Sequence, residues 1–110
     1  MGIQNITPLD LKERLDAGED LVVIDVRQDW ELEVSNLDFA EHIVLNELPT
    51  RSEEVPQDKA VVLVCRSGGR SMKACMFLAG QGWDTENLLN LEGGILGWAR
   101  DVDPSLPQDY

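Results

Sequence analysis

The sequence predicts an α/β fold, with a central, mostly parallel sheet and helices on both of its faces. Short apolar runs, typical of strands buried on both faces, alternate along the chain with segments of helical pattern. The chain has 110 residues, of which 43% are hydrophobic and 27% are charged. This length and composition are ordinary for one globular unit, so we expect residues 1–110 to form a single domain.

The first part of the chain predicts a helix, a strand and a second helix. The pair Thr7-Pro8 is typical of a helix start, because threonine caps the first turn and proline fits the first helical position. Gly18 is expected to end this helix. The run at 21–26 is apolar except for Asp25, which favours a strand buried on both faces. A short helix is expected over residues 29–34.

The middle of the chain contains a second buried strand. A short strand is expected at residues 43–45, followed by a mostly helical segment at 46–55 that Pro49 limits. The apolar run at 60–64 predicts a strand, and residues 72–79 have the composition of a helix.

The last part of the chain predicts one more strand and one more helix. The strand is expected at residues 87–91, and a glycine pair at 93–94 starts the turn into a helix over 95–102. Residues 103–110 contain two prolines and are expected to form a tail.

The most informative segment is the loop at 65–71, which joins the strand at 60–64 to a helix. In parallel sheets, ligands bind beyond the carboxyl ends of the strands, where both Cys65 and Asp25 are expected to lie. Loop N–H groups and a helix start favour the thiolate form of a cysteine, which is the nucleophilic form. Cys65 is therefore the candidate catalytic residue. The candidate substrate-binding residues are Arg66, Ser67, Gly68, Gly69, Arg70 and Ser71.

The charged residues near Cys65 have two interpretations each. Arg66 is expected to bind an anionic donor or to remain a surface charge. Arg70 is expected either to bind the donor or to brace the loop by pairing with a carboxylate such as Asp25 or Glu31, and bracing is favoured. Asp25 interrupts an apolar run, where an unpaired charge is costly, so we expect it to support the site together with Arg27 or to belong to a purely structural network. The candidate supporting residues are thus Asp25, Arg27 and Glu31, and Ser71 either donates to the sulfur or caps the helix.

The remaining candidate residues favour structural roles. Cys75 lies on the apolar side of its helix, which favours core packing over a role as a second redox thiol. His42 and two cysteines do not supply a zinc ligand set, so no metal is expected. Trp30, Trp83 and Trp98 are expected to be packing residues.

The charge and cysteine content exclude several classes of partner. A formal net charge of −12 is repelled by nucleic acids and by anionic membranes. No apolar run approaches the roughly 20 residues that cross a bilayer. Two cysteines without a signal-like start favour a reducing compartment, so a cytoplasmic location is expected.

Three segments, in this order and spacing, resemble the signatures of the rhodanese-like sulfurtransferase family. They are residues 23–27 (VIDVR) followed by Glu31, residues 65–71 (CRSGGRS) and residues 90–98 (NLEGGILGW). Segments 45–51 and 98–107 are also similar to the rhodanese domain fused behind adenylyltransferases of ubiquitin-like sulfur carriers.

This resemblance implies a sheet of about five strands and a sulfurtransferase that needs no cofactor. It implies a persulfide on Cys65, loaded from thiosulfate or from a protein persulfide. The outer sulfur then passes to cyanide, a thiol or a carrier protein.

Two other functions remain open. Cysteine phosphatases and arsenate reductases also place a cysteine, a loop of N–H groups and an arginine before a helix, but their loop is one residue longer. Here four residues separate Cys65 from Arg70, which favours a single sulfur atom over a tetrahedral oxyanion. A non-catalytic rhodanese-like binding module is the other alternative, which the presence of the cysteine and both arginines disfavours.

Overall fold

A five-stranded sheet forms the centre of the computed structural model, which describes residues 2–110. All neighbouring strands are parallel, and their order is β1-β5-β4-β2-β3. The predicted α/β fold with a parallel sheet of about five strands is therefore confirmed. The strands are β1 (Gln4–Ile6), β2 (Leu21–Asp25), β3 (Glu41–His42), β4 (Ala60–Val64) and β5 (Leu88–Leu91).

Within residues 2–110, five α-helices connect and cover the strands. They are α1 (Pro8–Asp16), α2 (Asp29–Val34), α3 (Leu48–Arg51), α4 (Gly69–Gly80) and α5 (Gly94–Asp101). Short 3-10 turns at 45–47, 52–54 and 85–87 complete the connections. As predicted, α1 begins after Thr7, whose hydroxyl accepts the Asp10 N–H at 3.1 Å. None of the helices within residues 2–110 is both long enough and apolar enough to cross a membrane.

The central strand β4 divides the core into two apolar layers, because successive side chains of a strand point to opposite faces. Val61 and Leu63 pack in a cluster that contains residues of α3 and α4. Val62 and Val64 pack in a second cluster that contains residues of α1 and α5. Helices therefore cover both faces of the sheet, and β4 is buried along almost its whole length.

One strand was missed in the sequence and another was predicted at the wrong position. The strand β1 was not predicted, because its three residues include only one buried apolar side chain, Ile6, and its stability comes from pairing with β5. The strand expected at 43–45 instead lies at Glu41–His42. Ile43 and Val44 are buried directly after the strand ends, so their apolar character reflects core packing beyond the strand.

The three tryptophans do not share one role. Trp83 and Trp98 are buried, which confirms the expectation of packing. Trp30 is 60% exposed, so the same expectation was wrong for this residue. Its ring meets the Tyr110 ring edge-on, with centroids 6.3 Å apart, because the last residues of the chain fold back toward α2.

Candidate active site

Cys65 directly follows the central strand β4, at the carboxyl edge of the sheet. Its side chain is buried, and the Gly68 N–H donates to Sγ at 3.0 Å. The Ser71 hydroxyl lies 3.3 Å from the same sulfur. Gly68 has a φ of +117°, a left-handed conformation that favours glycine, and it lets the loop curl around the sulfur before α4 begins.

The hydrogen bonds around Cys65 outweigh the effect of its burial. Burial raises the pKa of the Cys65 thiol, because a low-dielectric surrounding disfavours the charged thiolate. The Ser71 hydroxyl and the backbone N–H groups of Ser71, Gly68 and Ser67 lower this pKa by more, so that it lies below its ordinary value. The loop therefore favours the nucleophilic thiolate.

The first turn of α5 holds the loop from the other side. The Ile95 N–H donates to the carbonyl of Cys65 at 2.9 Å, and the Leu96 N–H donates to the carbonyl of Arg66 at 3.2 Å. Gly94 has a φ of +60°, and a Cβ atom at this position would overlap the carbonyl groups of Cys65 and Arg66. The glycine pair at 93–94 thus lets α5 approach the loop closely.

Arg70 braces the loop through an ion pair with Glu31 of α2. Two guanidinium nitrogens of Arg70 donate to the two carboxylate oxygens of Glu31, at 2.6 and 2.8 Å. Of the two carboxylates considered from the sequence, Glu31 and not Asp25 is the partner. The carboxylate also accepts the Gln28 N–H at 3.0 Å and the Tyr110 hydroxyl at 2.9 Å.

The ion pair predicts a specific pH dependence of stability. The hydrogen bond from Arg70 holds the pKa of Glu31 at about 2, below its ordinary value of 4.5. A lowered carboxyl pKa stabilises the fold at neutral pH and loses this contribution as the pH falls from about 5 toward 2. Glu31→Gln should lower the free energy of unfolding at pH 7 by about 3 kcal/mol, and this deficit should shrink over that pH range.

Urea unfolding at a series of pH values measures this deficit. Glu54→Gln is the matched control, since Glu54 pairs with Arg51 on the exposed surface, where ion pairs contribute little. A deficit that stays constant between pH 7 and pH 2 would show that Glu31 acts through packing and not through its charge.

Arg27 is a fully buried arginine that ties β2 to the last residue of the chain. Its guanidinium donates to Asp25, with the shortest bond at 2.7 Å, and to the carbonyl of Ser35 at 2.8 Å. It also donates to the Tyr110 hydroxyl at 2.9 Å, and that hydroxyl donates to Glu31. Asp25 and Arg27 therefore connect through Tyr110 to the ion pair that braces the loop.

Arg66 lies at the rim of the site and contacts the same tyrosine. Its Nε donates to the main-chain oxygen of Tyr110 at 2.7 Å, and its guanidinium carbon lies 5.2 Å from the centre of the Tyr110 ring. The side chain is 39% exposed. Tyr110 was not predicted as a site residue, because nothing in the segment 103–110 indicates a contact with residues so distant along the chain.

Asn90 of β5 is a second site residue that was not predicted as such. Its side-chain oxygen lies 2.5 Å from the Ser71 hydroxyl, and its Nδ2 donates to the carbonyl of Gly68 at 3.1 Å. The sequence does carry a signal for it, since Asn90 is a lone polar residue in an otherwise apolar strand. Buried polar groups need partners, and here both partners belong to the cysteine loop.

Cys75 and His42 lie outside the candidate active site around Cys65. Cys75 lies on α4 and is fully buried in the core, and burial raises the pKa of its thiol to about 12. This confirms the prediction that Cys75 fills the core. The Nε2 atom of His42 lies 2.7 Å from the carbonyl of Arg27. Within residues 2–110 no group of three or more acidic, histidine or cysteine side chains is placed to hold a metal ion.

The model of the rhodanese-like domain matches residues 7–101. The chain belongs to the rhodanese-like family. The chain is 39% identical over 104 residues to the Bacillus subtilis protein YtwF, covering 94% of this chain and 98% of that protein. It is 38% identical over 98 residues to a sulfurtransferase of Allochromatium vinosum, covering 89% and 90% of the two chains. A rhodanese-related protein of Thermoplasma volcanium has the same fold, with a TM-score of 0.78 at 30% identity over 94% of this chain and 95% of that one.

The chain also matches part of a larger protein, which confirms the resemblance to fused domains. It is 28% identical over 109 residues to the maize adenylyltransferase and sulfurtransferase MOCS3-1. The match covers 93% of this chain but 23% of the maize protein, so it concerns one portion of that protein.

Proposed function

We propose that this protein is a sulfurtransferase that carries a sulfane sulfur as a persulfide on Cys65. The observation that supports the proposal is the convergence of the Gly68 N–H and the Ser71 hydroxyl on a single buried sulfur. Donors aimed at one point stabilise the negative charge of a thiolate, and later that of a terminal persulfide sulfur. The similarity of this chain to a protein named as a sulfurtransferase, at 38% identity over 98 residues, supports the same proposal.

The reaction proceeds through two nucleophilic displacements at sulfur. The Cys65 thiolate attacks the outer sulfur of thiosulfate, a new S–S bond forms, and sulfite leaves with the electron pair of the broken S–S bond. An acceptor then attacks the outer sulfur of the persulfide, and the Cys65 thiolate leaves. Cyanide yields thiocyanate in this step, and a thiolate acceptor becomes a persulfide.

Arg66 is the residue we assign to the binding of an anionic donor. It carries a positive charge at the rim of the site, and it is the more exposed of the two loop arginines. Arg70 donates two hydrogen bonds to Glu31, and we assign it to bracing the loop and not to binding the donor. The donor competes with Tyr110 for Arg66, because Tyr110 already accepts its Nε–H.

Arg66→Ala should raise the KM for thiosulfate. A hydrogen bond between charged groups contributes about 1.5–3 kcal/mol, which corresponds to roughly a ten- to hundredfold increase. The measurement is initial-rate kinetics of thiocyanate formation at varied thiosulfate. Arg14→Ala is the control, since Arg14 pairs with Glu19 before the amino end of β2, at the opposite edge of the sheet. An unchanged KM in Arg66→Ala would show that Arg66 does not bind the donor.

A phosphatase or arsenate reductase activity is the less supported candidate. Transfer of a phosphoryl group requires donors for three equatorial oxygens in the transition state. In this loop Arg70 is bound to Glu31, and four residues separate it from Cys65. We therefore expect negligible hydrolysis of aryl phosphates.

Protein donors and acceptors remain part of the proposal alongside thiosulfate, thiols and cyanide. The relative MOCS3-1 joins an adenylyltransferase to a sulfurtransferase in one protein. The half-exposed rim formed by Arg66 and Tyr110 is accessible to a partner protein as well as to a small anion. The acidic surface disfavours nucleic acids and anionic membranes as partners.

Two parallel assays test this function. The protein is incubated with thiosulfate and cyanide while thiocyanate is measured, and separately with an aryl phosphate while phenol release is measured. We expect thiocyanate formation without phosphate hydrolysis. Aryl-phosphate turnover that depends on Cys65, together with no thiocyanate, would overturn the assignment.

A further inference from the structure

We propose that Asn90 is a positioning residue that competes with Cys65 for the single proton of the Ser71 hydroxyl. In this way Asn90 limits how strongly Ser71 stabilises the thiolate. The inference deepens the proposed function, because it concerns the nucleophile of that reaction. Its test below measures the thiol itself and does not depend on any sulfur donor.

The Ser71 hydroxyl lies between two acceptors. Its oxygen is 3.3 Å from Cys65 Sγ and 2.5 Å from the side-chain oxygen of Asn90. Ser71 is fully buried and Asn90 is 5% exposed, so bulk water does not reach the hydroxyl group freely. A serine hydroxyl carries one proton, so it donates to one of these acceptors at a time.

The orientation of the Asn90 amide is determined by its other partners. Nδ2 donates to the carbonyl of Gly68 at 3.1 Å and lies 3.5 Å from the side-chain oxygen of Asn5. Both partners are acceptors, so the nitrogen must point toward them and the oxygen must point toward Ser71. Asn90 therefore accepts from Ser71 and offers it no proton in return.

This arrangement gives the hydroxyl two states. When Cys65 is a neutral thiol, the hydroxyl donates to Asn90 over the shorter distance, and the thiol is free to donate to Ser71. When Cys65 is a thiolate, donation to the sulfur gains a charge-assisted hydrogen bond but gives up the bond to Asn90. The net stabilisation of the thiolate by Ser71 is the difference between these two bonds.

The charged groups around the site lie on elements other than β5, the strand that carries Asn90. Arg70 on α4 is paired with Glu31 on α2, Arg66 lies at the rim, and Arg27 is paired with Asp25 after β2. None of them is a hydrogen-bond partner of Asn90, whose partners are Ser71, Gly68 and Asn5. A substitution of Asn90 therefore changes which acceptor receives the Ser71 hydroxyl proton, and it removes no charged group.

Asn90→Leu should lower the pKa of Cys65, because the hydroxyl is then left with the sulfur as its acceptor. A hydrogen bond to a charged group corresponds to a shift of about 1 in the pKa. The measurement is the pH dependence of the rate of alkylation by iodoacetamide, followed by mass spectrometry of the peptide that carries Cys65. Asn90→Val is a second variant of the same kind, should the leucine variant not fold.

The opposite shift is what a merely structural role predicts. If Asn90 only holds Ser71 and Gly68 in place, its loss loosens both donors to the sulfur, and the pKa of Cys65 rises. Asn5→Ala is the matched control, since it removes a neighbour of Nδ2 without changing the acceptor of Ser71, and it should leave the pKa unchanged.

A double-mutant cycle further distinguishes competition for the Ser71 proton from a merely structural role of Asn90. Ser71→Ala should raise the pKa of Cys65 more in the Asn90→Leu background than in the native protein, because Ser71 donates fully to the sulfur only when Asn90 is absent. A raised or unchanged pKa in Asn90→Leu, or equal effects of Ser71→Ala in both backgrounds, would overturn the proposal. Either result leaves the thiocyanate assay to decide the proposed function independently.

Discussion

Cys65→Ser should abolish sulfur transfer from thiosulfate, and Cys75→Ser should retain most of it. Cys65 lies in a loop whose N–H groups and Ser71 hydroxyl lower the pKa of its thiol, whereas burial in the core raises the pKa of Cys75 to about 12. At neutral pH only a small fraction of Cys75 is thiolate, and the thiolate is the form that attacks sulfur. The rate of thiocyanate formation by the two variants measures this difference.

The paired serine variants also control for stability. Both cysteines are buried, and Cys75→Ser places a hydroxyl among apolar side chains, so urea unfolding should accompany the rate measurement. An equal loss of transfer in two folded variants would indicate a mechanism with two thiols and would contradict the assignment of Cys65 as the single carrier.

Gly94→Ala should both destabilise the fold and strongly reduce activity. The backbone at Gly94 is left-handed, and the added Cβ would lie 2.5 Å from the carbonyl oxygen of Cys65 and would overlap the carbonyl of Arg66. Backbone strain and overpacking together cost about 2–5 kcal/mol. Relief of the overlap requires the cysteine loop or α5 to move. This movement should reduce the transfer rate at least about tenfold, because a small misplacement of reacting groups lowers a rate by roughly this factor or more.

Gly80→Ala is the matched control for this substitution. Gly80 ends α4, and a Cβ atom there would meet no heavy atom within 4 Å. Its stability and activity should therefore stay close to those of the native protein. If Gly94→Ala were as stable and active as Gly80→Ala, the close approach of α5 would not be what fixes the loop.

The sequence predicts the central part of the site because its signals are local. The apolar run of β4 ends directly at Cys65, and glycines follow within the loop, so strand, nucleophile and helix start are visible in one short segment. Asp25 is visible for a similar reason, since a charge inside an apolar run must have a partner, and the partner Arg27 is two residues away.

The features that were missed depend on contacts between residues far apart along the chain. Tyr110 reaches Arg27 and Glu31 across most of the chain, and no periodicity in residues 103–110 indicates where it docks. The pairing of β1 with β5 depends on the sheet and not on the composition of β1. Trp30 has the composition of a packing residue, yet its position on α2 leaves it exposed beside Tyr110.

The intact mass of the protein after incubation with thiosulfate tests the central claim most directly. We predict a gain of one sulfur atom on the native protein, located on the peptide that carries Cys65, retained in Cys75→Ser, absent in Cys65→Ser and lost when cyanide is added. A gain of sulfur in folded Cys65→Ser, or no gain in a native protein that still produces thiocyanate, would contradict a persulfide on Cys65.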